Sequence, residues 1–195
     1  MTNPDTRTQI LDAAAHLFAE RGYRGTSVRA VTDRAGANLA AVGYHFGSKA
    51  ELLAAVARRV VEPIITAQCA ALDRLLAENP EPPVADLVAA WVGPMFDEMS
   101  AAEGTSKLIM MILGDPAEEV RSWTGPAQST VYDRYLAAFR HALPALSPEE
   151  LWFRMRGLLA VTAVDRAEGA CRVGGEESRA YAITFLAAAM SAPPT

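Results

Sequence analysis

The sequence is poor in the residue types that staple a fold, hold a metal or carry covalent chemistry. Two cysteines in 195 residues, Cys69 and Cys171, cannot make a disulfide framework and have no C-x-x-C spacing. A reducing cytoplasm is the natural home of such a chain. The three histidines, His16, His45 and His141, are preceded at the Glu-x-x-His spacing by Ala13, Val42 and Ala138, so no di-iron bundle is expected. Phosphate-loop, H-E-x-x-H and G-x-S-x-G motifs are missing. No metal, no cofactor and no enzyme is therefore expected. A Cys–His nucleophile is the one catalytic alternative the residues leave open, and both thiols sit in apolar helical stretches suited to burial. Residues 180–195, the longest run without charge, fall short of the ~20 residues of a membrane span and carry Pro193-Pro194 near the end. The first nine residues are polar, so no secretory leader is expected.

Strand signals are scarce as well. β-branched alternation is rare, and no Asn-Gly or Asp-Gly hairpin turn occurs. What remains is a chain 51% hydrophobic and 21% charged, the balance of one or two globular domains able to bury a core. Its net charge of −5 is unevenly spread. Residues 1–62 carry eight basic against six acidic side chains, a balance of +2, while the remainder stands at −7. A head that faces a polyanion, set on an acidic body, has such an asymmetry.

The strong periodicities are helical, and the expected fold class is all-α, about nine helices. Asp5 or Thr6 caps a first helix carrying Ile10, Ala14, Leu17 and Phe18 on one face, and Gly22 stops it. A short second helix starts at Thr26-Ser27, turns Val28, Val31 and Ala35 inward and ends at Gly36. Asn38 caps a third through Leu39, Val42 and Phe46, broken by Gly47-Ser48. Ser48-x-x-Glu51 is a capping box that opens a long fourth helix with Leu52, Leu53, Val56 and Val60. Pro63 either kinks that helix or divides it. Further helices are expected at about 64–78, 83–100 (broken by Gly93-Pro94), 105–113, 117–142 (interrupted near Gly125-Pro126), 148–171 and 176–190. Residues 78–83 form a proline-punctuated loop.

Residues 27–46, SVRAVTDRAGANLAAVGYHF, have the spacing of a helix-turn-helix, with Gly36 free to take positive φ at the corner. Such a pair presents the helix over 39–45 as a rod of the kind that enters a major groove. Leu39, Ala40, Ala41 and Gly43 give it a small, uncharged outer surface that lets backbone approach base edges. Tyr44 and His45 stand at its end. Lys49, one of two lysines in the chain, lies in the first turn of helix four, where free amides already favour phosphate. Thr26, Ser27 and Asn38 are caps that can also reach phosphate. Arg29 is the best candidate for a bidentate guanine contact. Read singly, each of these is an ordinary cap, core residue or surface charge.

The stretch from Ile10 to Leu53 resembles the N-terminal DNA-binding domain of the TetR family of bacterial transcriptional regulators. The resemblance lies in ILDAAAHLFAERGYRGTSV, the turn AGAN, and YHFGSKAELL. It implies that Thr26, Ser27, Asn38, Tyr44, His45 and Lys49 grip the DNA backbone, while Arg29 and residues 39–43 address bases. Gly43 departs from the pattern, standing where relatives more often carry a side chain. The segment NLAAVGYHFGSK is similar to that of regulators answering to fatty acids or their thioesters, which implies an acyl effector. The implied division is residues 1–50 as DNA-binding domain and 51–195 as effector-binding and dimerisation domain.

For an effector pocket the expected lining is Trp91, Met95, Phe96, Met99, Met110, Met111, Trp123 and Tyr132, residues that fill apolar cavities and cores alike. Arg121, Arg134 and Arg140 are cations able to neutralise an acid. Helix 148–171 is apolar on two sides, Leu151, Met155 and Leu158 on one, Trp152 and Leu159 on the other. The last helix is similar, with Tyr181, Phe185 and Ala188 opposite Ala180, Ile183, Ala187 and Met190. A helix apolar on two sides must be buried on two. The expectation is an isologous four-helix homodimer interface through Leu151, Met155, Leu158, Tyr181, Phe185 and Ala188, with a fully internal helix pair as the alternative.

The partners expected are therefore a palindromic operator in double-stranded DNA, a second copy of the chain and a small-molecule effector, with no membrane. The expected function is a homodimeric repressor released from its operator by a small apolar or acyl-type effector, the helix with Pro63 acting as lever. The alternatives are an activator, and a helical ligand-binding or interaction protein without a DNA role.

Overall fold

The computed structural model describes residues 5–101, 105–114, 126–167 and 175–194, and side chains within them apart from 99–101, 106, 110, 113–114, 126–129, 159, 162–167 and 175. Among the described residues there are nine α-helices and no strand. They are α1 (Thr6–Gly25), α2 (Val28–Ala35), α3 (Ala40–Phe46), α4 (Lys49–Glu78), α5 (Val84–Ala101), α6 (Thr105–Gly114), α7 (Pro126–Ala142), α8 (Pro148–Ala167) and α9 (Gly175–Ser191). The described residues fall into two compact units, 5–61 with 105–114, and 62–101 with 126–167 and 175–194.

The first unit is built from local capping rules. Asp5 caps α1, its carboxylate accepting from the Thr8 amide at 2.7 Å. Gly22, at φ 70°, ends the regular helix within α1. Ser27 Oγ accepts from the Ala30 amide, and Gly36 closes α2 in the left-handed region at φ 64°. Asn38 Oδ1 accepts from the Ala40 amide at 2.9 Å at the start of α3. Ser48 then accepts from the Glu51 amide at 3.1 Å, opening α4. Ile10, Leu17, Phe18, Val31, Val42, Phe46, Leu52 and Val56 form the core. Leu108 and Ile112 of α6 join it, and α6 packs on α1.

In the second unit α5 packs against α7, α8 and α9. Leu87, Trp91 and Phe96 of α5 meet Val131, Tyr135 and Phe139 of α7, Leu151, Met155 and Leu158 of α8, and Leu186 and Met190 of α9. At Gly93 the Arg179 side chain of α9 lies against α5. A Cβ there would stand 2.6 Å from Arg179 Nη2, whose partner Nη1 reaches Asp97 at 2.8 Å. Ser147 caps α8 by accepting from the Glu150 amide. Arg154 donates to the carbonyls of Met190, Ala192 and Pro193 at 2.7–2.9 Å, satisfying acceptors that the end of α9 leaves open.

Of the two alternatives at Pro63 the undivided one holds, since it lies inside one continuous α4, whereas the break expected at Gly93-Pro94 does not occur and Pro94 lies inside one continuous α5. Each proline removes a single amide from the ladder, and in α5 the neighbouring turn is held by packing on three other helices. The first part of the helix expected at 117–142 lies outside the described residues, as does Cys171. No described helix is long and apolar enough to cross a membrane.

Candidate nucleic-acid interface

The corner between α2 and α3 sets the geometry of the head. Gly36 takes the positive φ that a side chain would strain, and its amide returns to Asp33 and Thr32 carbonyls. Val31, Val42 and Phe46 are buried in the first core and fix α3 against its neighbours. The other side of α3 is bare: Ala40 and Gly43 are exposed, Leu39 is 56% exposed and Tyr44 86% exposed. A Cβ added at Gly43 would meet no atom within 4 Å. A tyrosine left in water on a short apolar helix contributes nothing to the core and is free to meet a partner.

Polar groups surround that surface. Ser27, Arg29 and Asn38 are exposed. The Ser27 and Asn38 oxygens are used as caps, which leaves the serine hydroxyl proton and the Asn38 amide free to donate outward. His45 is half-buried, its ring edge-on to Tyr44 at a centroid distance of 4.9 Å. Lys49 is half-buried with Nζ 4.2 Å from the centre of the Tyr23 ring, and burial lowers its pKa from the ordinary lysine value. Arg7 lies 5.2 Å from the Phe46 ring centre. Tyr23 and Arg7 were not among the residues expected here. Their pairing spans sequence separations that no local spacing rule registers.

Thr26 is a correction. It is only 1% exposed, and its hydroxyl is directed at the carbonyls of Leu17 and Gly22 at 3.0 and 2.9 Å. Its role is to fasten the end of α1, and it has no free donor for phosphate. Ala41, expected on the outer surface, is half-buried against the first core.

In the second unit Trp91, Met95 and Phe96 are buried, Trp91 and Phe96 within its core. Tyr132 is half-buried beside Trp91, ring centroids 6.3 Å apart. Met111 packs against the first core. The side chains of Met99 and Met110, and Trp123 altogether, lie outside the described residues. A surface hollow of about 670 Å³ lies elsewhere in the second unit, between Pro80, Pro83, Val84, Arg134 and His141, and none of the expected lining residues borders it.

The residues expected at a dimer face divide by burial. Leu151, Met155 and Leu158 are at most 1% exposed and belong to the protomer's own core, so they are unavailable to a partner. Tyr181 and Phe185 are 58% and 61% exposed, and Ala188 is exposed. Beside them in residue type stand Trp152 and Phe153 of α8, 48% and 74% exposed.

Residues 10–56 match the family model described as bacterial regulatory proteins, tetR family, and residues 89–189 match that of the tetracyclin repressor-like C-terminal domain. The chain belongs to the TetR family. That family is one of DNA-binding transcriptional regulators, not of enzymes. Similar relatives include the transcriptional repressor AcnR of Corynebacterium efficiens, 35% identical over 81 residues, 40% of this chain and 43% of that protein. The transcriptional activator FasR of Mycolicibacterium smegmatis is 37% identical over 62 residues, 32% and 28% of the two chains. The chain thus spans less than half the length of the curated relatives it matches. A solved SmeT–triclosan complex is similar over 97% of this chain and 96% of that one, at a TM-score of 0.65 and 25% identity.

Proposed function

We propose that the protein is a homodimeric transcriptional repressor that binds a short palindrome and is released from it by a small apolar or acyl-type effector. The observation that carries this reading is the bare outer side of α3, with Leu39, Ala40, Gly43 and Tyr44 outward, held by a glycine corner inside a family-matched head. Ser27, Asn38, Tyr44, His45 and Lys49 serve the phosphates; Arg29, Leu39, Ala40 and Gly43 serve base edges.

Dimerisation is supported by the aromatic side chains that α8 and α9 leave in water: Trp152, Phe153, Tyr181 and Phe185. Exposed apolar groups in such number mark an interaction surface, and an isologous contact covers the face with the same face of a second copy. Two recognition helices about 34–36 Å apart then read successive major-groove faces. Effector release is supported by likeness to a regulator solved with triclosan. An effector acts through its differential affinity for operator-bound and free forms, typically 1–3 kcal/mol. The helix containing Pro63 is the proposed lever.

The test is selection of bound sequences from random duplex DNA, followed by mobility-shift titration of the selected site with acyl and aromatic compounds. A symmetric selected motif and release by a compound support the reading; no enriched motif overturns it. The name of FasR favours a second reading, activation, which a reporter downstream of the selected site distinguishes by the sign of its response.

A further inference from the structure

The first turn of α1 brings to the end of α3 a cation that the interface described above leaves without a role. Arg7 is exposed, and its guanidinium carbon lies 5.2 Å from the centre of the Phe46 ring. Phe46, 8% exposed, is the last residue of α3 and belongs to the first core, so the surface under the guanidinium is fixed. A second observation brings the same groups together. The Asp5 carboxylate, held down chiefly by the Thr8 amide, also interacts with Arg7 and with His45, which joins the start of α1 to the end of α3. Arg59, Arg134, Arg154 and Arg179 each meet a carboxylate in an ion pair. Among the described residues Arg7 meets none within that distance, and its N–H groups find no acceptor there.

A guanidinium laid on a ring keeps its charge and its fork of donors, while the ring restricts the places its head can occupy. Arg7 is thus placed without being neutralised, which suits a partner that brings its own negative charge. The neighbours agree. Tyr44, 86% exposed, stands at the same end of α3, and Lys49 follows Phe46 by three residues. In a helix-turn-helix the recognition helix enters the groove, so groups beside its end meet the strand rather than the base edges. We infer that Arg7 is a further DNA-contacting residue, a clamp on a backbone phosphate beside the end of α3, with the Phe46 ring as the platform that places it. This rests on the DNA-binding reading above and adds α1 to the elements that touch the duplex.

The affinity of the full-length protein for its selected duplex and for an unrelated one is read by fluorescence anisotropy at several salt concentrations. Arg7→Ala weakens both roughly tenfold per bound chain and lowers the salt slope by about one per chain. Arg7→Lys keeps a charge and restores the slope. Arg7→Met keeps an alkyl stem on the ring without the charge and does not. A methylphosphonate scan of the selected duplex then locates the contact: at one phosphate in each half-site, neutralisation weakens the wild type and leaves Arg7→Ala unchanged. A wild-type slope and affinity in Arg7→Ala overturn the contact. So does an Arg7→Met protein that binds like wild type, which would make Arg7 a packing residue, or a loss confined to one base pair, which would make it a base reader. Failure of the wild type to select any motif overturns the repressor reading instead, and the unrelated duplex still scores Arg7.

Discussion

Lys49 shows how a flexible side chain becomes a placed one. Its ammonium stands over the Tyr23 ring and is partly desolvated, so less rotamer freedom is left to lose when a phosphate arrives. Lys49→Ala and Tyr44→Ala should each lower DNA affinity by a similar factor on every sequence, and only Lys49→Ala, which removes a charge, should flatten the salt dependence, measured by fluorescence anisotropy at several ionic strengths. Arg29→Ala should instead relax discrimination at one base position, at a cost of about 1–3 kcal/mol there; uniform losses would reassign it to phosphate. Thr26 is the opposite case. Its capping position is legible in the sequence, but whether a cap hydroxyl turns outward or back depends on the Leu17 carbonyl nine residues away. Thr26→Val should cost about 1 kcal/mol or more of stability by removing the buried hydroxyl proton that the Leu17 and Gly22 carbonyls share, read in a urea melt. At Asp5 the Thr8 amide holds the carboxylate below its ordinary value of 3.8. The stabilisation is therefore complete above that ordinary value and fades as pH falls through the lower folded one. The Thr8 amide resonance should titrate with a midpoint below 3.8, and Asp5→Asn should abolish that titration.

At the scale of elements, what could be read in advance followed the caps. Ser27, Asn38, Ser48 and Ser147 each place a hydrogen-bonded start, because capping is a contact among four neighbouring residues. Pro94 escaped the same reasoning and Pro63 left it with two alternatives, since the loss of one helical amide is local while the packing that tolerates it is not. The two apolar sides of α8 were equally visible in its periodicity. Nothing in that pattern tells which side meets α5 and which stays in water, and the stripe of Leu151, Met155 and Leu158 went inward. Gly43 is informative for the same reason in reverse: its emptiness toward solvent is a property of the folded head. Gly43→Ala should stabilise the protein by about 1 kcal/mol through helix propensity, with a matching rise in the denaturation midpoint. A loss of stability would mean that α3 is constrained in a way its free Cβ direction does not show.

For the whole molecule, charge and surface divide the labour. A basic balance is confined to residues 1–62, four of the five exposed aromatic side chains among the described residues lie on α8 and α9, and each matches one proposed partner: duplex DNA and a second copy. Neither partner would suffice alone, because one short recognition helix touches too few base pairs to select a site, whereas two in fixed spacing multiply their discrimination. Footprinting of the full-length protein on its selected duplex, with stoichiometry read by light scattering of the complex, tests this pairing most directly. The account predicts two protected half-sites related by a dyad, about one helical turn apart, occupied by an even number of chains. A single unsymmetrical footprint carrying one chain would contradict it.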